Sequence, residues 1–246
     1  MKKLYLVVRS AMLWVVSALH FFPGALVLMF VALFIDPRKN DRPQRFFARN
    51  IVRMAGARLR VRSAPGFDAR RTSLFISNHV NLFDPFVLYS AIPQFVRGWE
   101  LESHFRIPVY GWMMKRFGNI PVADQRTPGR LKNLLRLTRQ AFEDGISLVV
   151  FPEGSRTRTG RVGPFQPGIF RILHELEYPI VPVSIVGSFQ FHHKGSWLLH
   201  PATIEVYIHD TIETKGLNKE TLESLPERVR QIIAEPVDRA LGIQPD

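Results

Sequence analysis

From Leu4 to Ile35 the chain is overwhelmingly apolar, broken by Arg9, His20 and the pair Pro23-Gly24. One spanning helix over Ala11 to Ile35 is long enough on length alone. Pro23-Gly24 divides the stretch into two shorter pieces, which favours a helical hairpin or a kinked helix. The stretch is too long for a signal peptide, lacks a small-residue cleavage site and runs straight into basic sequence. Lys2, Lys3 and Arg9 precede or enter it, and Arg38, Lys39, Arg42, Arg45 and Arg49 follow it. Basic residues on both sides fit two cytoplasmic ends, as in a re-entrant hairpin, better than one crossing; a single span stays open. A wholly soluble protein would have to cover Trp14, Phe21, Phe22, Met29, Phe30 and Phe34, so that reading is disfavoured. Beyond it, Arg42, Arg45, Arg49 and Arg53 recur at three- and four-residue steps, with Phe46, Phe47, Asn50, Ile51 and Met54 between them. On a helix this gives a cationic side and an apolar side. Such a helix suits an anionic lipid surface, the flank of the next domain, or a place between the two.

The rest of the chain changes period. Arg58 to Arg62 alternates and reads as an edge or amphipathic strand; Ser73 to Ser77 is a short buried strand; Phe95-Val96-Arg97 is another. Asp84-Pro85 opens a helix, with the Asp as side-chain cap and the Pro at a position that needs no amide partner. Tyr110 to Phe117 reads as a helix closed by Gly118, and Asn119 to Val122 as a short strand that its Pro pushes toward an edge. Arg130 to Asp144 carries Leu131, Leu134, Leu135, Leu137, Ala141 and Phe142 on a broad apolar face and ends at Gly145. Ile146 to Phe151 is the cleanest buried strand. A turn-rich loop over 163–168 leads into a helix over 169–177, a buried strand over 180–186 and an alternating strand at a sheet margin over 203–208. A charged helical tail over 218–241 is interrupted by Pro226 and Pro236. Strands alternating with helices predict an α/β fold, a mixed central sheet flanked by helices, with the amino-terminal hydrophobic helical module as membrane anchor. The expected division is a helical hairpin and basic membrane-binding module over 1–62, and a catalytic domain over 63–246. No Gly-rich dinucleotide fingerprint or Walker sequence is present.

Charge sharpens this picture. The formal net charge is +12, and residues 1–62 carry twelve Lys/Arg against two Asp, so nearly all the excess lies there. Next to so apolar a segment, it points to an anionic membrane face and away from nucleic acid. The chain has no cysteine, which removes disulfides, thiolate nucleophiles and Cys-based zinc sites. His192-His193, close to His200, lacks carboxylate or Cys neighbours at ligand spacing; no metal is expected.

Two stretches carry chemistry. Asn78-His79 leaves a buried strand and Asp84 opens the next helix, so a carboxylate is placed to accept from one imidazole nitrogen while the other faces a substrate. From spacing alone, a loop histidine and a capping aspartate fit as well. Phe151-Pro152-Glu153-Gly154-Ser155-Arg156 follows the strongest strand. Gly154 permits close backbone approach, Ser155 and amides can donate, Arg156 offers a guanidinium fork for phosphate, and Glu153 can bind hydroxyls or hold an arginine.

Asn78-His79, four residues, then Asp84 resembles the first motif of the lysophospholipid acyltransferases related to bacterial 1-acylglycerol-3-phosphate acyltransferase. Phe151 to Arg156 resembles the third motif of that family, with Ser155 where Thr is common. Gly118-Asn119-Ile120-Pro121-Val122 resembles the opening of the second, but its arginine comes late, as Arg126; Lys115, Arg116 or Arg97 are the alternatives. Ile180 to Val183 resembles the apolar fourth motif. The resemblance runs from about Leu74 to Val186. It implies a base at His79 supported by Asp84, and substrate contacts at Asn78, Gly118, Arg126, Glu153, Gly154, Ser155 and Arg156. It implies transfer of a fatty acyl group from an acyl thioester to the free hydroxyl of lysophosphatidic acid, giving phosphatidic acid. The donor is acyl-CoA or acyl-carrier protein, with no bound cofactor. It implies a place on a bacterial-type inner membrane with the catalytic domain on the cytoplasmic side. Another lysophospholipid or amphiphilic acceptor, or a non-catalytic membrane-binding protein, are the alternatives. With no Cys and no nucleophile elbow, direct transfer is expected, Ser77 and Ser155 being the residues that would overturn it. Phe83, Phe86, Trp112 and Met113 are candidates for an acyl groove.

Overall fold

The computed structural model describes residues 2–122 and 129–243. Its elements are, in order, α1 (Lys2–Val31), α2 (Asp41–Met54), β1 (Ala57–Ser63), β2 (Leu74–Ser77), α3 (Asp84–Ala91), β3 (Val96–Leu101), a 3-10 turn (Glu102–Arg106), α4 (Tyr110–Arg116), β4 (Ile120–Val122), α5 (Arg130–Glu143), β5 (Ser147–Val150), α6 (Pro167–Leu176), β6 (Ile180–Val186), α7 (Ser188–Phe191), β7 (Ala202–Ile208) and α8 (Lys219–Leu241).

Seven strands form one sheet in the order β1-β7-β6-β2-β5-β3-β4. All neighbours are parallel except β6 and β7. The central strands read as continuous apolar runs because both faces are covered. Phe75, Val149, Val181, Val183 and Ile185 point to the layer of α1 to α4, and Leu74, Ile76, Leu148, Val150 and Ile180 to the layer of α5, α6 and α8. The expected mixed sheet flanked by helices is thus present. It starts at Ala57, since β1 pairs with β7 along its full length, so the strand at the end of the amino-terminal segment belongs to the sheet.

Two proline readings are corrected. Pro23 lies inside α1, which runs unbroken, so the apolar stretch does not fold back on itself at Pro23-Gly24. The chain turns only after Val31, and α2 packs back along α1: the Phe47 ring stacks on His20, centroids 5.2 Å apart, while Gly56 lies against Arg9 and Leu13. Pro226 and Pro236 likewise lie inside one helix of 23 residues. Leu225, Val229, Ile233 and Val237 recur every fourth residue and are buried against the sheet. At about 1.5–3 kcal/mol for each buried side chain, that stripe offsets interior prolines costing about 3 kcal/mol each.

Most of α1 lies open, unlike a helix of a soluble core. On its protein-facing side Ser10, Ser17, Ala25 and Leu28 are buried and Leu13, Trp14, Phe21 and Met29 pack against the core, whereas Leu4, Met12, Val15, Leu19, Phe22, Val27 and Phe30 point outward. The helix is long and apolar enough to cross a membrane. Beside it, α2 buries Gln44, Phe47, Ala48, Ile51 and Val52 and leaves Arg42, Arg49 and Arg53 exposed. Arg45 leaves the expected cationic side. Its guanidinium pairs with Asp41 (2.5 Å) and donates to the carbonyls of Tyr89, Ile92 and Gln94, because the carboxyl end of α3 presents unpaired carbonyls there.

Candidate active site

The parallel strands β6, β2, β5 and β3 all end at one edge of the sheet, so the loops that follow them meet there. Such an edge is where α/β sheets place ligands. The loop after β2 carries His79, and the loop after β5 carries Glu153 to Arg156.

His79 Nδ1 lies 2.8 Å from Asp84 Oδ2. Asp84 is fully buried, and the His79 side chain is 20% exposed, so one imidazole nitrogen is committed to the carboxylate while the ring still reaches solvent. Its face stacks on Phe151, with centroids 4.1 Å apart. Asp84 is at the start of α3 as expected but does not cap it; the cap position is Phe83, with no side-chain cap bond. The carboxylate turns back onto its own loop instead. Its Oδ2 accepts from the amides of Val80 (2.5 Å) and Asn81 (2.8 Å), and its Oδ1 accepts from the Ser188 hydroxyl (3.0 Å). Four donors therefore satisfy a charge that burial would otherwise make costly.

The two motif loops are joined through their backbones. Glu153 Oε1 accepts from the His79 amide and Oε2 from the Gly163 amide, both at 2.8 Å, and the Thr157 amide donates to the His79 carbonyl at 2.8 Å. Burial pushes the Glu153 carboxyl up, against the pull of those two amides. Gly154 adopts φ +67°, which disfavours any side chain, and a Cβ there would also push the Gln166 amide aside. Ser155 is exposed. Arg156 is half-buried and makes no hydrogen bond or ion pair with any described residue, which leaves a guanidinium available beside the imidazole loop.

The remaining predicted residues are dispersed. Asn78 is buried, and its amide pairs in both directions with the backbone of Ile185 (3.0 and 2.8 Å), extending the β2–β6 ladder by a side chain. Gly118 ends α4 at φ +76°. Arg126 lies outside the described residues. Of the alternatives, Lys115 and Arg116 are exposed. Arg97 is buried over the Phe95 ring at 3.5 Å and donates to the Val96 carbonyl; burial holds its pKa down at about 10. Ser77 is buried and donates to the Asn78 carbonyl (3.2 Å), so it is no accessible nucleophile. Phe83 and Met113 belong to the core, Phe86 packs against it, and Trp112 is 57% exposed. Burial holds His192 below the usual histidine range. Its ring lies edge-on to Trp14 and Phe83, which makes it part of an apolar wall. Among the described residues no group of three or more His, Asp or Glu is placed to hold a metal ion.

Residues 58–186 match the model of the family described as Acyltransferase, more than half of the chain. The chain belongs to that family. It is 31% identical over 140 residues to the 1-acyl-sn-glycerol-3-phosphate acyltransferase BAT2, chloroplastic, of Brassica napus, covering 56% of this chain and 40% of that one. It is 23% identical over 191 residues to the 1-acyl-sn-glycerol-3-phosphate acyltransferase of Pseudomonas aeruginosa, covering 78% and 73%. The chain spans about half the length of several curated relatives it matches. The crystal structure of the 1-acyl-sn-glycerophosphate (LPA) acyltransferase PlsC from Thermotoga maritima shares the fold, with a TM-score of 0.83 over 100% of both chains at 19% identity.

Two features of the site were not read from the sequence. Phe151 serves as a platform for the imidazole, although its place directly before Pro152-Glu153 was a signal that it leaves the sheet beside the site. Asn81 and Ser188, 107 residues apart, meet by hydrogen bonding (2.8 Å) behind Asp84. Local spacing holds no trace of that pairing.

Proposed function

We propose that this protein transfers a fatty acyl group from an acyl thioester to the free hydroxyl of lysophosphatidic acid, giving phosphatidic acid. The observation that carries the reading is the His79–Asp84 pair, with a buried carboxylate on one imidazole nitrogen and a partly exposed ring. His79 removes the hydroxyl proton as the oxygen attacks the thioester carbonyl, and Asp84 stabilises the imidazolium that forms. The tetrahedral intermediate collapses with loss of the thiolate, which takes the proton from the His79 imidazolium and so restores the base. Glu153 fixes the His79 backbone, and Arg156 receives the acceptor's phosphate as a charged fork. The family membership and the named activity of the relatives support the same reaction.

The outward apolar side of α1, with exposed Arg42, Arg49 and Arg53 on α2, fits an anionic bilayer. In this reading residues 1–62 contain the anchor, the rest carries the chemistry, and the enzyme works from the cytoplasmic side of a bacterial-type inner membrane. The lysolipid then reaches His79 from the surface that supplies it. The deciding experiment offers purified protein in lipid–detergent micelles a panel of lysolipids, with radiolabelled acyl-CoA and acyl-carrier protein in parallel. Phosphatidic acid should form from lysophosphatidic acid. Product only with another lysolipid would move the assignment to that acceptor, and lipid binding without thioester turnover would reduce the protein to a membrane-binding module.

A further inference from the structure

We propose that Ser188 is a positioning residue for this reaction: its hydroxyl fixes the orientation in which Asp84 holds His79. The inference rests on the acyl-transfer reading above and adds to its machinery a residue from the end of β6, the strand next to β2.

Ser188 opens α7 directly after β6 and is fully buried. Gly187 before it adopts φ +80°, and a Cβ at that position would run into the Thr203 carbonyl, so only glycine lets the chain turn sharply enough here. The turn delivers the Ser188 hydroxyl to Asp84 Oδ1, 3.0 Å away and 104 residues distant in sequence. The direction of this bond is fixed by the carboxylate, which can only accept, and agrees with the bond on the other side of the hydroxyl. Asn81 Nδ2 donates to Ser188 Oγ at 2.8 Å, and that hydroxyl has a single hydrogen, which is therefore left for the carboxylate. The Asn81 amide is itself oriented by all its partners: the two hydrogens on its nitrogen are shared among Ser188 Oγ and the carbonyls of Ser188 (2.9 Å) and His192 (3.0 Å), and its oxygen accepts from the Phe83 amide (2.8 Å). The result is a directed chain, from the Asn81 amide to the Ser188 hydroxyl to the Asp84 carboxylate, with the imidazole on the other oxygen.

The distribution of donors on Asp84 says what the hydroxyl does. Oδ2 has three donors, from His79, Val80 and Asn81, while Oδ1 has Ser188 alone among the described residues. A partial rotation about the Cβ–Cγ bond would turn both oxygens out of line with their donors and move the acceptor away from the imidazole. The Ser188 bond opposes that rotation and satisfies an oxygen that burial cuts off from water. Being buried behind the carboxylate, Ser188 touches neither substrate; it acts through Asp84.

The test is a double-mutant cycle on the full chain in lipid–detergent micelles, with radiolabelled acyl-CoA and lysophosphatidic acid, and thermal unfolding measured alongside. Ser188→Ala should lower kcat about 10–100-fold, the loss expected when a buried charged acceptor loses its donor, and leave the acceptor KM within about twofold. In an Asp84→Asn background the same change should cost less than about threefold, because the group it acts through is no longer a carboxylate. A purely structural serine would instead lower the unfolding temperature, leave kcat per folded molecule unchanged and give additive effects. That result overturns the proposal. Should Ser188→Ala not fold, Ser188→Cys keeps the volume with a weaker donor and must show reduced kcat; wild-type kcat there also overturns it. If Asp84→Asn is damaging and Ser188→Ala is not, only this inference fails. If the wild-type protein transfers no acyl group, or Asp84→Asn is as active as wild type, the acyl-transfer reading falls and this inference with it.

Discussion

Replacing Asp84 by Asn isolates the charge behind the imidazole. The amide has the same shape, and its oxygen can still accept from the amides of Val80 and Asn81, which bond Asp84 Oδ2 at 2.5 and 2.8 Å, so the loop should keep its conformation. What disappears is a negative charge in contact with His79, 2.8 Å away, at the moment the imidazole takes up a proton. Charge centres about 4 Å apart at an effective dielectric near 20 interact by about 4 kcal/mol. The amide dipole restores part of this, leaving about 3–4 kcal/mol of lost transition-state stabilisation, or about 10²–10³ in kcat. The assay is initial-rate transfer from labelled acyl-CoA to lysophosphatidic acid in micelles, varying the acceptor to separate kcat from KM. The acceptor KM should change by less than about threefold, because the carboxylate is buried away from substrate. A kcat within about threefold of wild type would refute the reasoning, since the buried carboxylate would then have no part in the barrier.

Arg156→Ala should raise the KM for a phosphate-bearing acceptor about 10–100-fold with kcat within about threefold, and an unchanged KM would remove Arg156 from headgroup binding. Gly154→Ala combines a left-handed backbone, costing about 1–2 kcal/mol, with a clash against Gln166; differential scanning calorimetry should show a lower midpoint, and adding Gln166→Ala should recover the steric part only. Burial holds His192 and His209 below the usual histidine range, so the unfolded chain takes up their protons first. Stability from these two groups is full above about pH 6.5 and falls as the pH drops below it, whereas Glu153, pushed up, contributes in the opposite sense. Unfolding midpoints measured from about pH 8 to 5.5 should fall on acidification, with His209→Gln flattening the slope; a midpoint that rises on acidification would contradict the assignment.

Much of this was legible because the local signals and the tertiary structure agree. Leu74 to Ser77 and Ser147 to Val150 are buried strands in mid-sheet, and the alternation over Arg58 to Arg62 falls in β1, an edge strand. His79 and Asp84 meet because a strand exit and a helix entry five residues apart leave little other choice. Proline punctuation misled where packing was stronger. Pro226 and Pro236 read as interruptions, yet the buried stripe of Leu225, Val229, Ile233 and Val237 holds one helix through both. Arg45 counted as one of a basic row, but its role depends on carbonyls of α3 and Gln94, more than forty residues away. Asn81 and Ser188 escaped notice for the same reason: a buried amide and a buried hydroxyl acquire meaning only when the sheet brings β2 beside β6.

The central claim is that one imidazole removes the acceptor's proton. Its most direct measurement is the turnover of His79→Ala, checked for native circular dichroism and for unchanged binding of lysophosphatidic acid to the micelle-bound protein. The account predicts that transfer falls by about 10²–10⁴ while acceptor binding persists. Turnover within about tenfold of wild type in a folded, lipid-binding His79→Ala protein would contradict it.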